Sequence, residues 1–212
     1  MARKEKVLPY AKENWHTYIA IRMEVFCKTL NLLIVTPKMK ENENNISKEL
    51  YKKMKYICFE HKNKPDRPFR DAKTDDTETC PDFTYRFTNS LAKSADLSEI
   101  HLHIECKCIG DNRKSSPKYN LNMNYISDGL KRFDSITHKY GENAYDGIMI
   151  GYIISSNKSD IQNKINDKLP RNIEKLDFKN KNKVEKISTK FMRKKVKPSD
   201  FTMHHIWADY TE

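Results

Sequence analysis

No stretch of the 212-residue sequence is long and apolar enough to span a bilayer, and Met1-Ala2-Arg3-Lys4-Glu5-Lys6 leads into no signal-peptide core. A cytosolic protein is the default expectation. A disulfide framework is also missing. The five cysteines are an odd number without a secretory signal, which predicts reduced thiols. The acidic run Asp71-Ala72-Lys73-Thr74-Asp75-Asp76-Thr77-Glu78 lacks the turn glycine and the spaced terminal Glu of a calcium loop, and reads as a solvated connection. Net negative charge is absent too: the formal charge is +11. That balance points to a polyanionic partner, nucleic acid first and an anionic membrane surface second. An AT-rich genome also enriches Lys and Asn, so charge alone does not decide. The length suits one domain with a core of its own, or one with a modest extension.

What the chain does contain is a strictly alternating stretch, Ile100-His101-Leu102-His103-Ile104-Glu105-Cys106-Lys107-Cys108-Ile109, closed by Gly110-Asp111-Asn112. Alternation ended by a turn signal predicts a half-buried strand. One face then carries Leu102, Ile104, Cys106 and Cys108, and the other His101, His103, Glu105 and Lys107. Upstream, Asp82-Phe83-Thr84-Tyr85-Arg86-Phe87 alternates as well. Pairing the two as an antiparallel hairpin brings Asp82 beside Glu105 and Lys107. Two carboxylates suit a hard cation such as Mg2+, and Lys107 can orient or deprotonate a water and oppose phosphate charge. The trio suits metal-assisted hydrolysis of a phosphodiester.

Pro81-Asp82 and Glu105-Cys106-Lys107, a strand-sized gap apart, resemble the motif of the PD-(D/E)xK nuclease superfamily, the restriction-endonuclease-like group. The resemblance covers roughly residues 46–154. It implies an α/β (α+β) fold with a mixed central sheet flanked by helices, and the order catalytic hairpin, crossover helix, central strand. It implies that Asp82, Glu105 and the main-chain carbonyl of Cys106 hold Mg2+, with Mn2+ as a substitute, and that Lys107 completes the site. A Glu on the helix before the hairpin reaches the metal in many of these enzymes, which makes Glu49 a candidate; a solvated first-turn Glu favoured by the helix dipole is the plainer reading. The activity implied is DNA cleavage in restriction or defence. A single site cuts one strand, so a duplex break requires a homodimer, a partner subunit of a defence complex, or two successive nicks.

Along the chain, Trp15, Tyr18, Ile19, Arg22, Met23, Phe26, Leu30 and Leu33 predict a helix over 10–35, ended by Pro37. A second helix is expected from about Ile46 to His61, capped by Asn44 or Asn45. Pro68-Phe69-Arg70 reads as a short first strand. After the hairpin, Asn122 or Asn124 opens a third helix with Ile126, Leu130, Phe133 and Thr137 on its buried stripe. Gly129 within it costs about 1 kcal/mol relative to alanine, which close packing on the sheet or close approach of a phosphate would explain. Lys131 and Arg132 are placed to contact phosphates. Residues 147–154 are continuously apolar and predict a strand buried on both faces.

Residues 158–197 hold fourteen Lys or Arg against five Asp or Glu, nine of the eleven net charges. Ile161, Ile165, Leu169, Ile173 and Leu176 keep helical spacing, so 158–212 is expected to be a basic, partly helical C-terminal extension packed on the 1–157 core. Its charges, Arg193, Lys194 and Lys195 among them, suit phosphate tracking, or merely solvate a surface. Residues 201–210 read as a last strand, whose His204 and His205 face opposite ways and cannot easily share an ion. Three functions fit the chain: a Mg2+-dependent nuclease, a non-catalytic nucleic-acid-binding subunit of the same fold, and a zinc protein using His101, His103, Cys106 and Cys108. Strand alternation puts those imidazoles and thiols on opposite faces, so the zinc scheme fails on geometry.

Overall fold

The computed structural model describes residues 9–35, 42–70, 80–88, 99–111 and 120–211. Five strands form one mixed sheet in the order β1-β2-β3-β5-β4. They are β1 (Phe83–Thr88), β2 (Glu99–Ile109), β3 (Asp146–Ile153), β4 (Val184–Met192) and β5 (Asp200–Asp209). The outer pairs, β1 with β2 and β4 with β5, are antiparallel; β2, β3 and β5 run parallel through the middle. The acidic run 71–78 and Pro37 lie outside the described residues. Among those described, no helix is long and apolar enough to cross a membrane. All five cysteines are free thiols.

The two sheet faces bury separate cores. On one face lie α1 (Pro9–Ile34) and α2 (Glu43–Glu60). The α1 residues Trp15, Ile19, Met23, Phe26, Leu30 and Leu33 are buried there, together with Leu102, Ile104, Cys106 and Cys108 of β2. Period 3.6 on the helix thus meets period 2 on the strand. Trp15 also pins α1 to the sheet, its indole N–H donating to Asp146 Oδ2 at 2.5 Å. The other core, around Tyr125, Phe133, Met149, Phe201 and Trp207, lies under the crossover between β2 and β3.

That crossover, α3, is not a regular helix. Leu121–Asn124 is α-helical, Tyr125–Gly129 is a π-helical turn, and Leu130–Asp134 is a tight 3-10 turn. Ile126, Leu130 and Phe133 are buried as expected, but the helix ends at Asp134 and leaves Thr137 exposed. Gly129 explains itself by contact: a Cβ there would stand 2.5 Å from Met149 Cε and 3.5 Å from Lys107 Cγ. The glycine lets the crossover settle onto the sheet directly above Lys107.

In the C-terminal third the expected last strand over 201–210 is present as β5, while the expected partly helical extension is helical over less of its length and contributes a further strand. Only Lys158–Asn166 (α4) is helical. Residues 184–192 and 200–209 are strands of the same sheet, and β5 lies between β3 and β4, inside the core. Phe69 likewise makes only an isolated bridge, to Thr84, not a full first strand. His204 and His205 do face opposite ways. His204 bonds Ser188 and Asp146 on one face, while His205 bonds Tyr125 and Thr189 on the other.

Candidate active site

The β1–β2 ladder ends at the pair Phe83↔Ile104, so Asp82 and Glu105 stand just past its last rung. Asp82 continues the pairing with its side chain: Oδ2 accepts the Cys106 N–H at 2.7 Å. On a strand the N–H and C=O of one residue point to the same side. The Cys106 carbonyl therefore points to the Asp82 edge of β2, where β1 no longer runs.

Glu105 is fully buried. Its Oε1 accepts from Lys107 Nζ at 2.7 Å and from Arg132 Nη1 at 2.9 Å. Its Oε2 is also buried and has no partner among the described residues. Burial, then the neighbouring Asp82 carboxylate, push the Glu105 carboxyl up from 4.5 to about 7, against the pull of Lys107 and Arg132. Burial alone would lower the pKa of Lys107, but the carboxylates of Glu105, Glu43 and Asp82 outweigh it and hold it above the usual lysine value. Lys107 is thus a charged donor, suited to opposing phosphate charge and not, in this state, to accepting a proton.

Glu43 was not foreseen. It is the first residue of α2, and its carboxylate accepts from Lys107 Nζ at 3.3 Å and from the Cys108 N–H at 3.2 Å. Glu49 is not brought to the site. It pairs with Lys52 at 2.6 Å on the helix surface. Six residues separate the two glutamates, about 9 Å along the axis and about 240° around it, so a helix presenting Glu43 inward turns Glu49 away. The signal that separates them is the cap: Asn42, not Asn44 or Asn45, opens the helix, its side chain accepting the Asn44 N–H at 2.9 Å.

His103, on the same strand face, is a neutral wall of the site. Its Nδ1 accepts the Gly141 N–H at 2.8 Å, and burial, then His101, lower its pKa to about 4. Tyr140, which tilts against His103, is almost fully buried, and its hydroxyl lies within electrostatic reach of Glu105 and Arg132. The thiols of Cys106 and Cys108 are in the opposite core, away from His103, which removes the zinc arrangement. Among the described residues no three His, Cys, Asp or Glu side chains are grouped to hold an ion.

A groove of about 400 Å³ adjoins the site, lined by Lys131, Arg132, Asp134, His138, Lys194 and Lys195 among others. Four of the five residues expected to meet phosphates therefore share one surface. Arg193, the fifth, does not. Its guanidinium is buried and donates to the carbonyls of Phe133, Tyr140, Gly141, Ala144 and Pro198, with Cζ 3.9 Å above the Phe201 ring. It rivets the β4–β5 connection to the segment after α3. Next to it, Asp134 accepts the backbone N–H groups of Lys194, Lys195 and Val196 at 2.6–3.3 Å. Those bonds set the two lysines opposite Lys131 and Arg132.

Comparison of the chain with protein-family models, curated proteins and solved structures gave no match.

Proposed function

We propose that this chain is a Mg2+-dependent nuclease of restriction-endonuclease-like architecture that hydrolyses DNA phosphodiester bonds, serving restriction or defence against foreign DNA. The observation that carries the reading is Glu105: a buried carboxylate, facing Asp82 and Lys107, with one oxygen that nothing among the described residues satisfies. An unsatisfied buried polar atom costs about 1–3 kcal/mol, more when charged, and at a site it calls for a ligand. The residues present fit a hard cation. Glu105 Oε2, the Asp82 carboxylate and the Cys106 carbonyl are all oxygen donors, the kind Mg2+ takes while keeping several waters. Once bound, such an ion supplies an activated water and neutralises charge at the phosphate; Mn2+ suits the same donors.

The chain's own residues account for the rest. Lys107 faces the phosphate as a fixed positive charge. Glu43 orients that ammonium and ties α2 to β2 through Cys108. Lys131, Arg132, Lys194 and Lys195 grip the backbone of the nucleic acid. A non-catalytic binding subunit is the second reading. It is favoured by one fact: Asp82 Oδ2 and Glu105 Oε1 already have protein partners.

Incubation with plasmid DNA separates the two. Wild type cuts in Mg2+ and not in EDTA, whereas Asp82→Ala binds DNA but does not cut. The nuclease reading falls if wild type, given Mg2+ and both single- and double-stranded substrates, cuts nothing that Asp82→Ala leaves intact.

A further inference from the structure

Resting on the nuclease reading, we infer that Arg132 is a positioning residue that couples the two ligands of the site: it guards Glu105 until a phosphate in the groove draws it away, so nucleic acid and divalent ion bind cooperatively. Arg132 belongs to both places at once. Its Nη1 lies 2.9 Å from Glu105 Oε1, with the arginine side chain 18% exposed and the glutamate side chain 0%. The same residue lines the basic groove with Lys131, Lys194 and Lys195.

Lys107 cannot play this part. Its side chain is only 8% exposed and is tethered to two carboxylates, Glu105 and Glu43, from the strand that carries Glu105 itself. Among the described residues Arg132 has one carboxylate anchor, Glu105, with the neutral Tyr140 beside it, and it sits in the 3-10 turn at the groove's rim.

Charge bookkeeping gives the direction. With every carboxylate ionised, Asp82, Glu43 and Glu105 face Lys107 and Arg132, one negative charge in excess. A divalent ion alone overshoots to one positive charge and must compete with a guanidinium already in contact with Glu105. A phosphodiester alone adds a second negative charge. Both together neutralise the cluster. The phosphate also gives Arg132 a bidentate partner outside, which its planar fork prefers to one carboxylate oxygen. Glu105 then keeps only Lys107 among the described residues, on Oε1, and its Oε2 is open to the ion. Such coupling is reciprocal: nucleic acid must tighten the ion by the same factor by which the ion tightens nucleic acid, typically about 5–150-fold.

Calorimetric titration of the full chain with Ca2+, which occupies oxygen sites without supporting turnover, tests this in the presence and absence of a short duplex oligonucleotide. Anisotropy of the labelled oligonucleotide, with and without Ca2+, measures the reverse direction. Wild type should show a coupling factor of at least about fivefold, equal from both sides. Arg132→Gln should bind Ca2+ alone more tightly than wild type, with the factor falling to near one. Lys131→Gln, which removes a groove charge but no contact with Glu105, should weaken DNA binding and keep the factor. Should Arg132→Gln fail to fold, Arg132→Lys carries the test, with a factor between one and the wild-type value. A variant at Arg132 that keeps the full wild-type coupling overturns the inference. So does a wild type that cuts DNA without coupling, a result that leaves the nuclease reading standing. A protein that neither binds the ion nor cuts loses both.

Discussion

Replacing Arg193 with alanine tests the most consequential reassignment in the molecule, from presumed phosphate contact to internal rivet. The guanidinium reaches five backbone carbonyls from two segments and lies on Phe201. Hydrogen bonds to a charged donor are worth about 1.5–3 kcal/mol each, but the wild type already bears the cost of burying that charge. Breaking such a buried network by removing one partner typically costs about 3–5 kcal/mol. For a chain of this size each kcal/mol moves the melting temperature by about 2–4 °C, so Arg193→Ala should melt about 6–20 °C lower. Arg193→Lys should recover only part of this, because an ammonium cannot span the carbonyls that the fork reaches. Thermal unfolding followed by circular dichroism gives the number. A melting point within 2 °C of wild type, with a reduced salt dependence of DNA binding, would place Arg193 on the surface and refute the rivet; that margin is about one kcal/mol or less.

The opposite pattern is expected of its neighbours: Lys194→Ala with Lys195→Ala should leave the melting point unchanged and lower the log–log salt slope of DNA binding by about 0.9 per lost phosphate contact, read by anisotropy. Glu43→Gln should reduce cleavage by about 10–100-fold, as loss of a group orienting a site residue usually does, while Glu49→Gln should cut at the wild-type rate. For Glu105 the sign follows from a raised folded pKa. In metal-free protein Glu105 itself binds more protons folded than unfolded between pH 4.5 and about 7, so its own contribution to stability should fall as pH rises through that window, against the opposite slope of the buried His103 and His205. In chelator-treated protein the melting point of wild type relative to Glu105→Gln should therefore fall as pH rises from 4.5 to about 7; a difference that stays constant across that window contradicts the burial described.

The β1–β2 hairpin was legible because β2 alternates without exception, so one strand assignment fixes which side chains share a face. The same alternation placed Cys106 and Cys108 in the core. Glu43 was hidden by a run of interchangeable caps: Asn42, Asn44 and Asn45 can each open a helix, and a shift of a few residues changes which glutamate points inward. The π and 3-10 turns of α3 were not legible, since they answer to Met149 and Lys107 pressing on Gly129, a tertiary contact. Strand β4 was disguised by charge. Lys186 and Lys190 stand exposed on a sheet edge, where lysines guard against pairing with another chain, while Thr189 and Phe191 are buried. Arg193-Lys194-Lys195 read as one basic patch. The single guanidinium in that run was the available clue, because only arginine carries five donors able to serve several carbonyls at once.

Asp134 occupies the position a phosphate would choose. Three consecutive amides at Lys194, Lys195 and Val196 converge on its carboxylate, as amides in a nest converge on an anion. The groove wall is thus closed from within, and these directional donors are spent on the protein's own side chain. What remains for a ligand on that wall is the pair of long, rotatable ammonium groups, which answer to charge and not to the identity of a base. On the proposed function, a strand lying there would be held by its backbone whatever its sequence, and this wall would supply grip without reading.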